Sequence, residues 1–298
     1  MTPPTIVASG IIVTAGDAGT KAWLAKQNLA LTNTPTEAFA QGYILVAGQG
    51  LPKSGSNPSQ QRLTALRAAE VAAYRRLAEI LDGVTVSGQV TVRDCTLSSD
   101  LVKAAVNGFV RGARKVYESW NPEEGVATVL MEVGINGANS VTDVMYQQYI
   151  NAPDGRASLQ TVAYKPSETG LMMVTTSQRP PPSTQASQDG LIIDARDLDF
   201  HPALINRIFT RQGESLYDPS KISQKILVEQ GAGEYTNTLE KAHAALEARG
   251  AKTPLVIKAL GLKSPADLLV SDDDAVRIFS ADQKINFLAS AKVVFVLK

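Results

Sequence analysis

Residues 57–83, NPSQQRLTALRAAEVAAYRRLAEILDG, carry the strongest local signal in this sequence. Large apolar residues recur there at the three- and four-residue spacing of one helical face, with alanines between them. These positions are Leu63, Leu66, Val71, Tyr74, Leu77 and Leu81. Asn57-Pro58 is typical of a helix start, and Gly83 is typical of a helix end. The stretch predicts one long amphipathic helix that buries this face.

Segments with strand patterns surround this helix in the sequence. The β-branched residues of Thr5–Thr14 and the apolar run Gly42–Ala47 predict two strands before it. A polar, alanine-rich insertion with short helices, Ala15–Gly42, separates them. After the helix, valines alternate with polar residues over Val84–Val92, which is the period of a half-buried strand.

A hairpin and two helices complete the first predicted domain, residues 1–150. Ser98–Asp100 offers a cap for a helix that continues to about Phe109. The predicted hairpin has strands Ala113–Trp120 and Val126–Ile135, joined by the five-residue loop Asn121–Gly125. A further helix is expected to start near Asn139–Ser140 and to carry Val141, Val144, Met145 and Tyr149.

A polar connection over residues 151–189 separates this domain from a second one, residues 190–298. Ser177–Gly190 contains three prolines and few apolar residues, which predicts an interdomain linker. The loop-rich stretch Asn151–Thr169 precedes an apolar run, Leu171–Thr175, which could add an edge strand to either domain.

The second domain mixes predicted strands with predicted helices. The strands are Gly190–Ala195, Leu255–Leu260, Lys292–Leu297 and a shorter one near Leu268–Val270. The helices are Lys221–Glu229, Tyr235–Arg249 and Asp273–Ala281. This alternation predicts a mixed α/β or α+β class: two domains, each a small mixed sheet packed with helices.

The composition narrows the function before any motif is considered. The 298 residues carry 29 basic and 29 acidic side chains, so the chain lacks the net positive charge typical of nucleic-acid binders. One cysteine, Cys95, and two distant histidines, His201 and His243, give no transition-metal motif. The longest apolar runs are far shorter than the ~20 residues of a membrane-spanning helix. We therefore expect no cofactor, no metal, no nucleic-acid partner and no transmembrane segment.

The densest polar cluster follows the predicted strand Gly190–Ala195. Asp194, Asp197, Asp199 and His201 lie where α/β folds often bind ligands, and carboxylates beside a histidine can perform acid–base chemistry. The simpler interpretation is a solvated turn with local ion pairs, because Arg196 lies among them.

Three other features have weak functional interpretations. Gly48-Gln-Gly50 with Lys53 has the wrong spacing for a phosphate-binding loop and is interpreted as a flexible strand-to-helix connection. Asp272–Asp274 after Ser271 lacks the alternating ligands of a calcium loop and is interpreted as a helix cap. Cys95 has only Arg93 as a nearby cation in sequence and is interpreted as a partly buried structural residue. No residue is therefore predicted to be catalytic, cofactor-binding or metal-binding, and we expect a protein that is not an enzyme.

Residues 41–135 resemble the bacterial envelope lipoprotein family that includes the flagellar outer-membrane lipoprotein FlgP. The resemblance rests on Gly42-Tyr-Ile-Leu-Val-Ala-Gly-Gln-Gly50, Arg67-Ala-Ala-Glu-Val-Ala-Ala-Tyr-Arg-Arg-Leu-Ala-Glu79, Gly83-Val-Thr-Val86 and Gly125-Val-Ala-Thr-Val-Leu-Met-Glu-Val133. The second domain is similar to a companion module of bacterial envelope proteins. That similarity rests on Gly190-Leu-Ile-Ile-Asp-Ala-Arg196, Pro202-Ala-Leu204, Thr253-Pro-Leu-Val-Ile-Lys-Ala259 and Val293-Val-Phe-Val-Leu297.

The resemblance implies a non-enzymatic structural subunit that associates with copies of itself into a ring, disc or filament, with other envelope or flagellar motor proteins as further partners. It implies a location in the periplasm, at the outer membrane or on the cell surface. Met1–Pro4 has neither the basic nor the apolar segment of a signal peptide, so by itself it favours a cytoplasmic or a mature protein. The alternative function is a monomeric module that binds a periplasmic ligand, glycan or protein partner in the cleft between the two domains. An enzyme that uses Asp194, Asp197 and His201 is a third hypothesis.

Overall fold

The computed structural model describes residues 18–55, 57–166 and 188–298. Contacts between Cα atoms divide the chain into two compact units. The first contains the described residues up to Leu31, Leu45–Leu77 and Ala113–Glu132, and the second contains Thr32–Ile44, Ala78–Gly112 and Val133–Lys298. The predicted strand Thr5–Thr14, the apolar run Leu171–Thr175 and residues 177–187 of the predicted linker lie outside the described residues. The domain boundaries at residues 150 and 190 stay a prediction.

The N-terminal half of the chain supplies one three-stranded sheet, one hairpin and most of the helices. Its strands are β1 (Tyr43–Gly50), β2 (Thr85–Ser87), β3 (Val90–Thr91), β4 (Arg114–Asn121) and β5 (Val126–Gly134). Its helices are α1 (Ala18–Gln27), α2 (Pro35–Gln41), α3 (Pro58–Asp82), α4 (Val92–Ser98), α5 (Asp100–Arg111), α6 (Val141–Met145) and α7 (Pro153–Ser158), with a π-helical turn at Tyr146–Ile150.

The predicted long helix, its stop and the predicted hairpin are confirmed. Helix α3 ends one residue before Gly83. Strands β4 and β5 pair antiparallel across the loop that follows Asn121, and β5 also neighbours β1. The Ser99 side chain caps α5 by accepting a hydrogen bond from the Val102 amide, and Ser140 caps α6 in the same way.

The buried face of α3 is the predicted one at Leu77 and Leu81, which are buried, and differs from it nearer the start of the helix. In the first unit, α3 buries Ala65, Ala69 and Ala73 completely, whereas Leu63 is 67% and Val71 is 47% exposed. The reason lies in β1, where a Cβ atom at Gly48 would meet the Ala69 carbonyl oxygen at 2.1 Å. Helix and strand therefore touch backbone to backbone, and only small residues fit between them.

Glycines also account for two other corrections. Gly48 and Gly50 belong to strand β1 rather than to a loop, because they form this close contact. The strand predicted over Val84–Val92 is a two-strand hairpin instead, since Gly88 has φ +62° and reverses the chain between β2 and β3. Val92 then begins α4.

The C-terminal part of the second unit contains two four-stranded sheets. Its strands are β6 (Leu191–Asp194), β7 (Arg207–Phe209), β8 (Ser215–Tyr217), β9 (Glu234–Thr236), β10 (Leu255–Lys258), β11 (Gly261–Ser264), β12 (Asp267–Leu269) and β13 (Val293–Val296). Its α-helices are α8 (Gln224–Gln230), α9 (Leu239–Ala248) and α10 (Asp272–Ile285). One sheet is parallel, in the order β10-β6-β13-β9, and the other is mixed, in the order β11-β12-β7-β8.

The parallel sheet separates two apolar clusters. On one face, Leu191, Ile193 and Phe295 pack with the second sheet and α10; on the other, Ile192 packs beneath α9 with Ala242 and Leu246. Because its central strands are covered on both faces, they are apolar apart from Asp194 at the end of β6, as is usual in parallel sheets. Helices and several small sheets in one chain confirm the predicted mixed α/β or α+β class.

Two predicted elements of the C-terminal half need correction, and three strands are added. The helix expected over Tyr235–Arg249 begins only at Leu239, after Thr238 caps it, and Tyr235 lies in strand β9. The stretch expected to be loop from Asn151 contains α7. Strands β7, β8 and β11 are additions, because strands of three or four residues leave little periodicity to read. Within the described ranges, every helix is too short or too polar to cross a membrane.

Replacing Gly48 with alanine tests the backbone contact between β1 and α3. The added methyl group would lie 2.1 to 2.3 Å from the Ala69 oxygen and the Ala73 nitrogen, which are helix backbone atoms and cannot rotate away. We expect a loss of about 1–3 kcal/mol in the free energy of unfolding, measured by urea denaturation. Gly108→Ala is the control, since its Cβ meets nothing within 4 Å on α5, and should gain about 0.5–1 kcal/mol. Equal effects of the two substitutions would contradict the contact.

Candidate functional site

The aspartate cluster after β6 is a set of solvated ion pairs. Asp194 accepts two hydrogen bonds from the Arg196 guanidinium, at 2.9 and 2.7 Å, and these hold the pKa of Asp194 below its usual range. Asp197 pairs with Lys258 at 2.7 Å, and Asp199 with His201 at 3.5 Å; the side chains of Asp197 and Asp199 are largely exposed. This geometry supports the simpler of the two interpretations, because each acid has its own partner and the three pairs form no shared reaction centre.

The aspartates at the start of α10 cap that helix. Ser271 accepts a hydrogen bond from the Asp274 amide at 3.1 Å and donates one to the Asp274 carboxylate at 2.7 Å. Asp272 and Asp273 lie in the first turn, where the helix dipole favours negative charge. Throughout the described residues, no group of three or more His, Cys, Asp and Glu side chains is placed to hold a metal ion.

Cys95 is buried inside α4, as the sequence predicts for a structural thiol. Burial raises the pKa of the Cys95 thiol to about 12, and the neighbouring Asp94 carboxylate adds to the rise. At neutral pH this side chain is a neutral, apolar-like group rather than a nucleophile.

An open sheet edge is the most conspicuous surface of the second unit. Strands β10 and β11 follow one another in a single stretch, Leu255–Ser264, hereafter the open edge, and among the described residues each is the outermost strand of its sheet. The Leu255 and Ala259 amides donate to Gly190 and Asp194 of the β6 side. Because peptide groups alternate along a strand, the Val256 and Lys258 amides point away from the sheet.

The outer face of the open edge is apolar and basic. Residues 255–260 alternate between buried and exposed, which leaves Val256 40% and Leu260 46% exposed on either side of the exposed Lys258. Helix α9 lies over β6, β13 and β9, so this face of β10 is left uncovered by it. Over residues 251–264 the only charged side chains are lysines: Lys252, Lys258 and Lys263.

A cleft of about 680 Å³ adjoins β9, at the opposite edge of the same parallel sheet. We call it the β9 cleft. It is lined by the C-terminal ends of α2, α8 and α9 and by β9 itself. Its lining residues are Phe39, Ala40, Gln41, Gly42, Asn136, Glu229, Gln230, Gly233, Glu234, Tyr235, Ala248 and Arg249. Its volume is in the range of small-molecule pockets.

Arg249, which lines the β9 cleft, connects three segments of the chain through hydrogen bonds. Its guanidinium donates to the Glu234 carboxylate at 2.8 Å, to the Ala291 carbonyl at 2.6 Å and to the Gln230 carbonyl at 2.7 Å. The Arg249 side chain is only 9% exposed, and its positive charge is paired with Glu234 inside the protein. The cleft lining therefore has two carboxylates, the exposed Glu229 and the partly exposed Glu234, against the one guanidinium that pairs with Glu234. Its net charge is negative, and the partial negative charge of helix C-termini adds to it.

Tyr235 forms the wall of the β9 cleft on the sheet side. Its ring stacks on Phe295 and meets Phe39 edge-on, with centroids 5.7 and 5.4 Å apart. Its hydroxyl donates to the Ala203 carbonyl at 2.7 Å, and burial raises its pKa. This tyrosine is thus a fixed, neutral structural wall and not an acid–base group.

Neither the open edge nor the β9 cleft was predicted as a site from the sequence. The candidate sites that the sequence suggests are clusters of charges close in sequence. In the structure, each charge of the aspartate cluster contacts its own partner. The cleft is lined by residues 39–42 together with residues between 229 and 249, and no local sequence pattern predicts that these distant segments lie side by side. The alternation of Val256, Lys258 and Leu260 with apolar residues indicates a half-buried strand. The sequence does not indicate that this strand lies at the end of the sheet.

Thiol labelling tests the state of Cys95. We expect iodoacetamide at pH 8 to modify the native protein at least about a hundredfold more slowly than the protein in guanidinium chloride, because both the thiolate fraction and access are low. Mass spectrometry over time gives both rates. Native labelling as fast as that of the unfolded chain would show an accessible, reactive thiol instead.

Comparison with known proteins adds one similarity. A family model described as Treponema pallidum Tp0624, second domain, matches residues 190–298. No curated protein matches the chain. The matched residues start and end where the sequence predicts the second α/β domain, and they contain β6 to β13. Both four-stranded sheets and the open edge therefore lie in the part of this chain that is similar to that domain.

Proposed function

We propose that this protein is a non-enzymatic structural subunit of the bacterial cell envelope that associates with copies of itself into a ring, disc or filament. The envelope location and the association with flagellar motor proteins rest on the resemblance of residues 41–135 to FlgP-like lipoproteins. The proposal of self-association has support from the structure as well.

The observation that carries the proposal is the open edge, Leu255–Ser264. A strand at the end of a sheet presents unpaired amide and carbonyl groups, and folded proteins usually cover or charge such edges. Here two sheets end on the same stretch, and Val256 and Leu260 are exposed beside it. Pairing with another chain would satisfy the outward amides and bury these side chains, which gives the surface a use in assembly.

Charge balance is compatible with the same proposal. The 29 basic and 29 acidic residues give a formal net charge of zero at pH 7. Copies of the chain therefore do not repel each other through net charge, and low net charge favours association.

Light scattering coupled to gel filtration, with electron microscopy of the same fractions, tests the proposed assembly. We expect a particle mass that is a multiple of 31.7 kDa and increases with protein concentration, and images with rings, discs or filaments. The association should persist in reducing agent, since the single cysteine is buried. A featureless 31.7 kDa monomer at the highest soluble concentration would contradict the proposal.

The β9 cleft favours a second candidate function, a monomeric module that binds a periplasmic ligand. Its volume of about 680 Å³ and its polar lining suit a small molecule or a short peptide segment. On this hypothesis the cleft is the working surface and the open edge has no partner.

Thermal melting with added ligands separates the two functions. Free amino acids, sugars and muropeptides are suitable probes for a periplasmic cleft. On the second hypothesis, one of them raises Tm with saturation while light scattering still reports a monomer. If Tm rises only with protein concentration, assembly is favoured over ligand binding.

A further inference from the structure

The parallel sheet of the second unit ends in two edges of unlike chemistry. Strand β10 forms one edge and β9 the other, and all four strands run in the same direction. A sheet of this kind continues from copy to copy if one edge fits the opposite edge of the next copy. The shape and charge of the two edges therefore determine whether one copy can bind the next in this way.

The β10 edge offers a protruding apolar and basic ridge. Val256, Lys258 and Leu260 alternate with buried residues and lie on one face of the strand. The Lys258 side chain is 71% exposed, and its internal partner Asp197 is equally exposed at 72%. An ion pair so exposed contributes little, so Lys258 is available to a better partner.

The β9 edge offers a complementary hollow. The carbonyl of Thr236 accepts a hydrogen bond from the Leu297 amide of the β13 side. Because successive residues of a strand direct their amide and carbonyl groups to opposite sides, those of Tyr235 point away from β13. Glu229 and Glu234 line the cleft on that side, and Arg249, which pairs with Glu234, offsets one of the two carboxylates. The hollow is electronegative where the ridge is positive.

We propose that the open edge of one copy docks in the β9 cleft of the next, with Lys258 facing Glu229 and Glu234. This inference rests on the proposed self-association and names its contact surface. The two sheets then continue in parallel, and the contact is heterologous, because each copy uses a different surface toward each neighbour. Repeated heterologous contacts generate a closed ring or an open filament and never stop at a dimer with a two-fold axis.

The two kinds of side chain have separate tasks in this contact. Burial of Val256 and Leu260 supplies the attraction, since removal of apolar surface from water is the main driving force of association. Lys258 and the two glutamates select the partner edge and its register, because complementary charges act mainly on specificity. Like charges would oppose a contact between two β10 edges, since Lys258 would approach its own copy.

Two charge reversals test this contact, singly and mixed. Lys258→Glu places a carboxylate on the ridge, and Glu229→Lys places an ammonium in the hollow; both residues are exposed, so folding should be retained. We expect each variant alone to need at least about tenfold more protein than the wild type to assemble. An equimolar mixture should assemble again, because the native ridge of the Glu229→Lys variant meets the native cleft of the Lys258→Glu variant, and the two reversed surfaces attract each other in turn.

Matched controls separate the contact from general charge effects. Glu247→Lys reverses an exposed charge on α9 outside the cleft lining, and Lys284→Glu reverses one on α10 away from the open edge. Both should assemble as the wild type does. If the wild type assembles and the two test variants assemble equally well, the contact is wrong although self-association stands. If a mixture of the wild type with Lys258→Glu assembles better than either protein alone, Lys258 of one copy faces residue 258 of another, and the contact is between two β10 edges. If the wild type never assembles, the proposed function itself fails.

Hydrogen exchange shows what covers the open edge. In the monomeric Glu229→Lys variant, whose β10 edge is unchanged, the Val256 and Lys258 amides should exchange rapidly, and in the assembled wild type they should be protected. Protection already present in the monomeric variant would mean that the chain's own residues cover the edge, and this result would overturn the proposal.

Discussion

Burial of the central strands β6 and β13 on both faces is the constraint on which the second unit depends. Ile193 and Phe295 pack into the cluster shared with the mixed sheet, and Ile192 and Val294 pack beneath α9. A parallel sheet is stable only with both faces covered, and α9, ten residues long, is the cover on one side. It lies over β6, β13 and β9, so the outer face of β10 is left to solvent. The exposure of Val256 and Leu260 on this face is thus a consequence of how far one helix reaches.

The sequence predicts the existence of the long elements well and their packing less well. Helix α3, its end before Gly83 and the β4–β5 hairpin follow from periodicity and turn chemistry, which are local. The face that α3 buries nearer its start does not follow, because hydrophobicity ranks Leu63 and Val71 above Ala69. The choice is made by Gly48, which is distant in sequence and whose missing side chain admits only alanine at close range. Steric fit between distant residues outweighed the apolar pattern.

The same distinction between local and distant partners explains the site. Asp194, Asp197 and Asp199 are close in sequence, and each contacts its own partner, Arg196, Lys258 or His201, without forming a shared reaction centre. The β9 cleft gathers its acids from the end of α8 and from β9, and its depth depends on Arg249 joining Glu234, Gln230 and Ala291. A surface made by the ends of separate elements has no sequence signature.

Net neutrality therefore has a more specific meaning than absence of repulsion. A chain with 29 charges of each sign can be neutral everywhere or neutral only on average. In the second unit, lysines are the only charges over residues 251–264, whereas glutamates prevail in the cleft at the other edge of the same sheet. Two opposite patches on one rigid sheet attract the unlike edges of neighbouring copies and repel the like edges. The balance of charge is then a condition for assembly that grows in one direction. A net excess of either sign would make the copies repel each other and weaken every repeated contact. An even mixture of both signs at each edge would give the edges no preference for each other.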